Sequence, residues 1–428
     1  MKHTVEEVRL RNGARGLLID IPGATVMSFQ FQFRAGNRYV ADKTIYETAH
    51  IMEHMAFGAN ARFKSEHDFE AEFTKNGAYH NAYTSDMSMV YVADCADFEW
   101  QRIFDLQRVS ICQPRFNGEE LEAEKGNVRS ELTGYLNNHN RVLWPKVQQL
   151  LGEDVYTFNQ RLKTIPQVTL RDIKNHHKRT HTAGNMRFVI AGKLHGRKSE
   201  IKRQLENWEL ESGTRFEAPH DEFVSGNPTL IRRKEASNLT FAWSMIVPRE
   251  LSDEESDAMN CLDHILTGTM HSRIYGAARK KGLAYGMFSD TSVGFHDSSW
   301  DFGGQVNLDR ADGLFDIIVR ELSHVLEGAI TEAEIDAAKS YALGRHQMGA
   351  QTVAQISNFY TNRYFADDVV KDYEKVPESI TKTSRETMIA TAREFISHNI
   401  SVLAGVSSGE RSEIIDLNDK LETLFRNV

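Results

Sequence analysis

The sequence lacks the features that direct a chain into a membrane, into secretion or onto nucleic acid. It has no run of about 18 apolar residues, and its start, MKHTVEEVRLRNG, has no apolar core of the signal-peptide type. Its three cysteines, Cys95, Cys112 and Cys261, are odd in number and scattered, which favours buried free thiols in a reducing compartment. Its 51 basic residues against 60 acidic ones argue against nucleic acid as the main partner. We therefore expect a cytoplasmic protein without a membrane or nucleic-acid partner.

An internal repeat is the main organising feature that is present. The segments MSFQFQFRAGN, from Met27, and NLTFAWSMIVPRE, from Asn238, both show the alternation of a strand. A helical pattern follows each, ETAHIMEHMAFG in the first half and DAMNCLDHILTG in the second, and a shift of 210 positions superposes the two. Residues 171–192 and 385–405 also correspond, each as a helix followed by a strand that ends in Ala-Gly. The chain is thus a tandem duplication of one α+β unit.

The duplication predicts the domain boundaries. Residues 209–228 are rich in Gly, Pro, Ser and charge, as expected of a connection. We predict a first domain over 1–213, a linker over 214–228 and a second domain over 229–428. Residues needed only for folding are expected in both halves, so residues present in one half alone are candidates for chemistry.

The segment TAHIMEHMAFG (48–58) carries the strongest candidate site. His50, Glu53 and His54 lie at positions i, i+3 and i+4 of a predicted helix, so they share a face with Cβ atoms about 5–6 Å apart. Two imidazoles one turn apart can hold one metal ion, and the glutamate can reach a water on that ion, in the His-x-x-Glu-His order. The alternative is an amphipathic helix with polar residues on its surface.

A catalytic zinc ion needs a third protein ligand besides an open position for water. The segment 117–138 is typical of a long helix, and its Glu124 and Glu131 share a face because they are seven residues apart. The matching residues of the second half are Ala338 and Arg345. The first histidine and the glutamate of the other helix are lost there as well. A shared metal site predicts such a coordinated loss, whereas separate surface residues do not.

A second histidine pair has the same four-residue spacing. His177 and His181 lie in NHHKRTH, with Lys178 and Arg179 between them. The positive charge of these two residues would repel a cation, and no acidic residue is nearby in sequence. We interpret the segment as a solvated helix end.

Taken together, AHIMEHMAFG, the segment NGAYHNAYTSDMSMVYVADC (76–95) and Glu131, 77 residues beyond His54, resemble the pitrilysin/insulinase family of zinc metallopeptidases, which are inverzincins. The resemblance covers essentially the whole chain, including its duplication. Family members of this size have two homologous α/β-roll domains, each a mostly antiparallel sheet packed with helices, and these half-clamshells pair to enclose a chamber. The resemblance therefore implies an α+β fold whose second domain has a degenerate metal site.

The resemblance also implies a role for each candidate residue near the metal. Three side chains would hold Zn²⁺: His50, His54 and Glu131. Glu53 would be the general base, and Glu124 would orient a ligand or the water. A helix-surface carboxylate is the alternative for Glu124.

Two further segments resemble parts of the family that contact the substrate. In HNAYTSD, Asn81 and Ala82 would bind the substrate backbone along an edge strand, unless this is an ordinary strand. In GTMHSRIYGAARKKGLAYGMFS (268–289), Tyr285 would contact the substrate or the transition state. The family arginine lies seven residues before this tyrosine, where the chain has Ala278, so we assign that role to Arg279 instead and expect the segment's other arginine, at 273, to pack or form an ion pair.

The resemblance thus implies a zinc-dependent endopeptidase that cleaves short or unfolded peptides inside a closed chamber. The alternatives are a non-catalytic or partner subunit of a related heterodimeric peptidase, and a zinc hydrolase of small molecules. Because the chain has both the metal residues and Tyr285, we expect a homodimer, with a heterodimer that includes a related non-zinc chain as the alternative. The sequence does not name the physiological substrate.

Overall fold

A computed structural model describes residues 1–426 and shows two sheets, each packed with helices. The strands are β1 (Thr4–Arg9), β2 (Arg15–Asp20), β3 (Val26–Phe33), β4 (Tyr79–Thr84), β5 (Met89–Ala96), β6 (Arg187–Gly192), β7 (Thr229–Arg232), β8 (Asn238–Val247), β9 (Ala284–Val293), β10 (Ser298–Asn307) and β11 (Ile400–Ser407). The helices are α1 (Thr48–Met55), α2 (Glu66–Thr74), α3 (Trp100–Cys112), α4 (Gly118–Tyr135), α5 (His139–Leu150), α6 (Phe158–Thr164), α7 (Leu170–Thr180), α8 (Lys198–Glu206), α9 (Asp253–Leu266), α10 (Arg273–Lys280), α11 (Ala311–Leu326), α12 (Glu332–Met348), α13 (Val353–Asp367), α14 (Val376–Lys382), α15 (Arg385–His398) and α16 (Arg411–Phe425).

The two sheets have related topologies. The first has the strand order β1-β2-β6-β3-β5-β4, and the second has the order β7-β11-β8-β10-β9. Only the pairs β2–β6 and β7–β11 are parallel among the strands described, and the other pairs are antiparallel. This confirms the predicted α+β class with two mostly antiparallel sheets packed with helices.

The sequence repeat corresponds to a repeat of elements. The strand and helix β3 and α1 match β8 and α9, helix α4 matches α12, and the pair α7–β6 matches α15–β11. Residues 212–228 form no helix or strand, and β7 begins at Thr229.

The chain forms two compact units that do not follow the sequence halves. One consists of Met1–Gly134, Phe158–Pro219 and Met348–Lys371, and the other of Tyr135–Thr157, His220–Gln347 and the chain from Asp372 onward. Each unit thus contains a helix from the other half of the sequence, α13 in the first unit and α5 in the second. The sequence, by contrast, predicts two continuous domains.

Both faces of the central strand β3 are covered. The aromatic rings of Phe29 and Phe31 are fully buried and lie 5.5 Å and 4.8 Å from Phe104 and Trp208, respectively. On the opposite face, the Gln30 side-chain amide donates hydrogen bonds to α13, at 3.0 Å to Ser357 Oγ and at 2.7 Å to the side-chain oxygen Oδ1 of Asn358. The alternation in the sequence thus places Phe29 and Phe31 on one buried face, and the polar face is also buried, with hydrogen-bond partners supplied by α13.

In the second unit, α5 covers one face of the other sheet. Leu143 and Val147 of this helix are buried in one apolar cluster with Ala242 and Ile246 of β8. Burial of about 25 cal/mol per Å² of apolar surface is the force that holds such a helix on a sheet.

The interpretation of NHHKRTH as a solvated helix end is wrong. His181 is buried, and its Nε2 lies 2.8 Å from the hydroxyl of Tyr91, while His177 Nε2 lies 2.9 Å from the carbonyl oxygen of Ile111. Burial lowers the pKa of His177 to about 4 and lowers the pKa of His181 well below its usual range. Lys178 and Arg179 lie on the exposed face of the helix, and their charges give no information about its other face. The histidines on that other face are neutral and contribute to packing.

The cysteines are free thiols, as the sequence predicts. Cys95 and Cys261 are buried and Cys112 is partly buried. Burial raises the pKa of Cys95 to about 12, so its thiolate is a minor species at neutral pH. None of the described helices has the length and hydrophobicity needed to cross a bilayer. The cytoplasmic location stays a prediction.

Candidate metal centre

Helices α1 and α4 bring together the three predicted ligands of the first half. His50 and His54 lie one turn apart on α1, and Glu131 lies near the end of α4. The Nε2 atoms of both histidines are 3.5 Å from Glu131 Oε2. One ligand atom from each of the three residues lies within 4.8 Å of the others, and no other such group occurs in residues 1–426.

The geometry of this cluster can be compared with what a zinc ion requires. Zinc bonds of about 2.0–2.1 Å in a tetrahedral arrangement place neighbouring ligand atoms about 3.3 Å apart. The two 3.5 Å distances between a histidine Nε2 and Glu131 Oε2 are close to this value. All three ligand atoms lie within 4.8 Å of one another, so a small inward movement of the side chains would give the spacing that a bound ion requires. Two imidazole nitrogens and one carboxylate oxygen are also a donor set typical of catalytic zinc. The residues present therefore fit the ion, with one coordination position left for water.

A carboxylate outside the cluster fixes the orientation of each histidine ring. His50 Nδ1 lies 2.7 Å from Glu47 Oε1, and His54 Nδ1 lies 2.9 Å from Glu124 Oε2. Since an ionised carboxylate only accepts hydrogen bonds, each Nδ1 carries the proton and each Nε2 is left to bind a metal. Carboxylates that orient metal-bound histidines in this way usually contribute strongly to metal affinity. The position of Glu124 is the one that the resemblance implies.

Glu47 is a site residue that the sequence reasoning missed. Its side chain is fully buried, and it accepts two hydrogen bonds from Arg161 of α6, at 2.8 Å and 2.6 Å. Burial alone would raise the pKa of Glu47, but the charge and hydrogen bonds of Arg161 lower it to about 2. The comparison of the two halves did not single out Glu47, because the matching residue, Asp257, also carries a carboxylate. Its position one turn before His50 was the available signal.

The cluster attracts positive charge strongly. Burial opposes the charged form of His54, but hydrogen bonds to Glu124 and Glu131 outweigh this effect and raise its pKa to about 10. The pKa of His50 is raised in the same way, against its burial, by Glu131 and Glu47. In the absence of metal the site therefore holds protons, and a divalent cation must displace them.

Glu53 lies beside the two histidines on the same helix. Its carboxylate is partly buried and raises the pKa values of both rings through its charge. No hydrogen bond to this carboxylate is formed by residues 1–426, in contrast to Glu47 and Glu124. It is therefore available to accept a proton from a water molecule at the open coordination position.

The matching residues of the second half have different surroundings. Asn260 is exposed. Asp263, in the place of Glu53, is buried and accepts a hydrogen bond from the Trp300 indole at 2.9 Å, and burial raises its pKa to about 6. His264 stacks on the ring of Tyr341 with a centroid distance of 4.0 Å. Asp263 and His264 thus contribute to the packing of the second unit.

The segment HNAYTSD forms β4, which lies at the edge of the first sheet. Asn81 and Ala82 are near the middle of this strand, opposite Val92 and Tyr91 of β5. Asn81 is exposed, and the outer side of β4 has no neighbouring strand within the described chain. Backbone groups on this side can pair with an added strand.

Tyr285 and Arg279 are neighbours in the second unit. Tyr285 is the second residue of β9, an edge strand, and is 83% exposed. The guanidinium carbon of Arg279 lies 4.5 Å from the centre of the tyrosine ring, and its Nη1 donates to the Tyr285 carbonyl oxygen at 3.4 Å. Arg273 is instead paired with Glu334 at 2.6 Å, as predicted. Arg279 is thus the arginine of the segment that reaches the tyrosine.

Comparison with sequence models of protein families assigns the chain to a family. A sequence model described as Insulinase (Peptidase family M16) matches residues 17–164, and one described as Peptidase M16 inactive domain matches residues 167–341. The chain belongs to the pitrilysin/insulinase (M16) family. This confirms the predicted family, and the second match begins at residue 167, within the predicted first domain.

Individual relatives agree with this assignment. The M16 chain is 28% identical over 190 residues to mitochondrial-processing peptidase subunit beta of Caenorhabditis elegans, across 43% of this chain and 40% of that protein. It is 23% identical over 378 residues to an uncharacterized zinc protease of Streptomyces coelicolor, across 83% and 79% of the two chains. The match to the mitochondrial subunit thus spans less than half of the subunit's length.

Solved structures show the same fold. A protease from Helicobacter pylori superposes with a TM-score of 0.82 at 17% identity, covering 95% of this chain and all of the other. A peptidase M16 inactive domain from Pseudomonas fluorescens superposes with a TM-score of 0.84 at 16% identity, covering 95% and 99%. At these identities the similarity concerns the fold alone.

Proposed function

We propose that this M16-family chain is a zinc-dependent endopeptidase that cleaves short or unfolded peptides. One observation carries the proposal: Glu131, His50 and His54 converge at metal-ligand spacing beside Glu53, whose carboxylate accepts no hydrogen bond from the described residues 1–426. The family membership and the zinc protease relative support the same reaction class.

In this proposal each residue of the centre has a defined task. His50, His54 and Glu131 hold the ion, which when bound polarises the scissile carbonyl and makes its water more acidic. The Glu53 carboxylate takes a proton from that water and transfers it to the leaving amine nitrogen. Glu47 and Glu124 keep the histidine rings in the orientation that presents Nε2.

The edge strand β4 supports an extended substrate. A peptide that adds a strand beside Asn81 and Ala82 is held mainly by backbone hydrogen bonds, which demand an extended chain and few particular side chains. A folded protein cannot present its backbone in this way. The Tyr285 hydroxyl and Arg279 are proposed to contact the substrate or the transition state.

Peptide digestion tests the proposed function. The purified zinc-loaded chain should cleave a mixture of unfolded peptides, lose this activity in a chelator and regain it when zinc is restored. The same sequences in a stably folded protein should resist cleavage. A zinc-loaded chain that cleaves no peptide would instead favour the alternative of a non-catalytic or partner subunit.

We expect one zinc ion per chain, bound by the first half. Replacement of Glu131 with glutamine should weaken zinc binding about tenfold or more, because a neutral amide replaces the charged carboxylate that lies beside both histidines. Glu119→Gln, which changes an exposed carboxylate on the same helix, is the matched control. Affinity should rise with pH, since the metal must displace the proton that the raised pKa of His54 retains. Two ions per chain, or undiminished binding by Glu131→Gln, would contradict this assignment.

We also propose a homodimer in which Tyr285 of one chain serves the zinc site of its partner. Mixing Glu53→Gln chains with Tyr285→Phe chains, each nearly inactive alone, should restore about a quarter of the parent activity in a random mixture, because half of the dimers gain one intact site. If subunits exchange but peptidase activity does not recover, Tyr285 either acts at the zinc site of its own chain or has no role in catalysis. It would also favour the alternative of a heterodimer with a related non-zinc chain.

A further inference from the structure

A cavity of about 470 Å³ in the first compact unit lies among several buried or partly buried charges. Four arginines line it: Arg15, Arg34, Arg187 and Arg215. Asp367 and Asp368 are the acidic residues of its lining, so positive charges exceed negative ones by two. The metal centre residues are not part of this lining.

The positions of the arginines follow from the sheet. Arg15 and Arg187 are the first residues of the parallel strands β2 and β6 and lie opposite each other in register. Arg34 directly follows the end of β3, which runs antiparallel to β6, so it lies at the same end of the sheet. Like charges held side by side on adjacent strands repel each other and reduce stability. Asp368, which pairs with both Arg15 and Arg187, offsets this repulsion.

Part of this charge has a structural role. Arg187 donates to Asp368 through Nε and through Nη2, the latter at 2.8 Å, and Arg15 Nη1 lies 3.5 Å from the same carboxylate. Arg34 and Arg215 donate to the last carbonyl groups of α13, each at 2.7 Å. A helix C-terminus carries only about half a negative charge.

Arg215 also donates hydrogen bonds to two neutral groups, the carbonyl oxygen of Asn185 at 2.6 Å and Gln32 Oε1 at 2.8 Å. Asp367, the other carboxylate of the cavity, is paired with Arg363 at 2.8 Å. Burial, and then the charges of Arg187 and Arg34, lower the pKa of Arg215 to about 9. Burial likewise lowers the pKa of Arg34. A bound anion would offset the cost of keeping these guanidinium groups charged.

Glycines form part of the cavity wall. The backbone of Gly184 approaches that of Gly213 so closely that a Cβ atom at 184 would lie 1.8 Å from the carbonyl oxygen of Gly213. Gly13, with φ of +96°, completes this part of the lining. These three glycines contribute backbone to the lining, beside the arginine side chains.

We propose that this cavity is a binding site for a small dianionic phosphate compound, such as a phosphate monoester or pyrophosphate. The excess of two positive charges matches a dianion, and the planar guanidinium group is suited to phosphate oxygens. The volume lies within the range of about 300–1,000 Å³ typical of small-molecule sites, so it accommodates more than the phosphate group alone.

Calorimetric titration of the full chain with pyrophosphate tests this site. Arg15→Gln should weaken binding about tenfold or more, because one charge-assisted contact is lost. This variant should still fold, since the Arg15 side chain is 37% exposed and makes only the 3.5 Å contact with Asp368. Arg9→Gln, at a mostly exposed arginine outside the cavity, is the control and should bind as the parent does. Thr214→Glu, at an exposed lining residue, should weaken binding by adding negative charge.

Two results would overturn the proposal. One is the absence of pyrophosphate binding at millimolar concentration, and the other is binding that neither Arg15→Gln nor Thr214→Glu weakens. Vesicles that contain phosphatidic acid distinguish a lipid headgroup from a soluble phosphate as the source of the anion. Binding to these vesicles that depends on Arg15, without binding of pyrophosphate, would also overturn the small-molecule assignment.

Discussion

Replacement of Glu53 with glutamine is expected to remove nearly all peptidase activity while one zinc ion stays bound. The substitution keeps the shape of the side chain but removes the group that accepts the proton from water. Loss of a positioned general base usually reduces the rate by about two to four orders of magnitude. The Glu53 carboxylate makes no hydrogen bond with other residues of the described chain, so the substitution should leave the ligands and the fold undisturbed.

Turnover of an unfolded peptide and metal content, measured on the same preparation, check this expectation. Glu119→Gln again serves as the control, because it removes an exposed carboxylate away from the metal centre. Activity within tenfold of the parent, with zinc bound, would show that Glu53 has a structural role only.

The second large effect is expected at Arg161. This residue is the only arginine of the described chain that pairs with Glu47, whose carboxylate is fully buried. Arg161→Met removes the arginine partner of that buried carboxylate and leaves only its contact with His50, and loss of one partner of a buried ion pair typically costs about 3–5 kcal/mol. Zinc affinity should fall as well, because Glu47 orients His50 through the 2.7 Å contact with Nδ1.

Urea unfolding of Arg161→Met and of the double variant Glu47→Gln/Arg161→Met measures this effect. The double variant should recover much of the lost stability, because the buried Glu47 carboxylate is no longer present. Arg171→Met, at an exposed arginine, is the matched control. Equal stability of Arg161→Met and the parent would mean that water reaches Glu47.

The sign of the pH dependence at Glu47 follows from its pKa. The pKa is lowered from its ordinary 4.5 to about 2 in the folded chain, so the ion pair contributes its full stability above pH 4.5. That contribution is lost as the pH falls towards 2. The parent should therefore lose stability between pH 4.5 and 2 more steeply than the double variant.

The sequence by itself determined the duplication and identified most residues of the candidate metal centre. A strand or helix period is a local property, so β3, α1 and α4 could be recognised from spacing alone. The joint loss of carboxylates at Ala338 and Arg345 then linked two helices that are distant in sequence. That comparison can identify only residues that differ between the halves.

Tertiary structure decided the rest, because burial depends on contacts between distant segments. Glu47 and Arg161 are 114 positions apart, and no local pattern pairs them. The histidines of NHHKRTH became neutral packing residues because elements distant in sequence cover one face of α7. The exchange of α5 and α13 between the halves, and the meeting of four arginines at one end of a sheet, arise in the same way. Periodicity shows which face of an element is apolar, whereas only the folded chain shows what covers it.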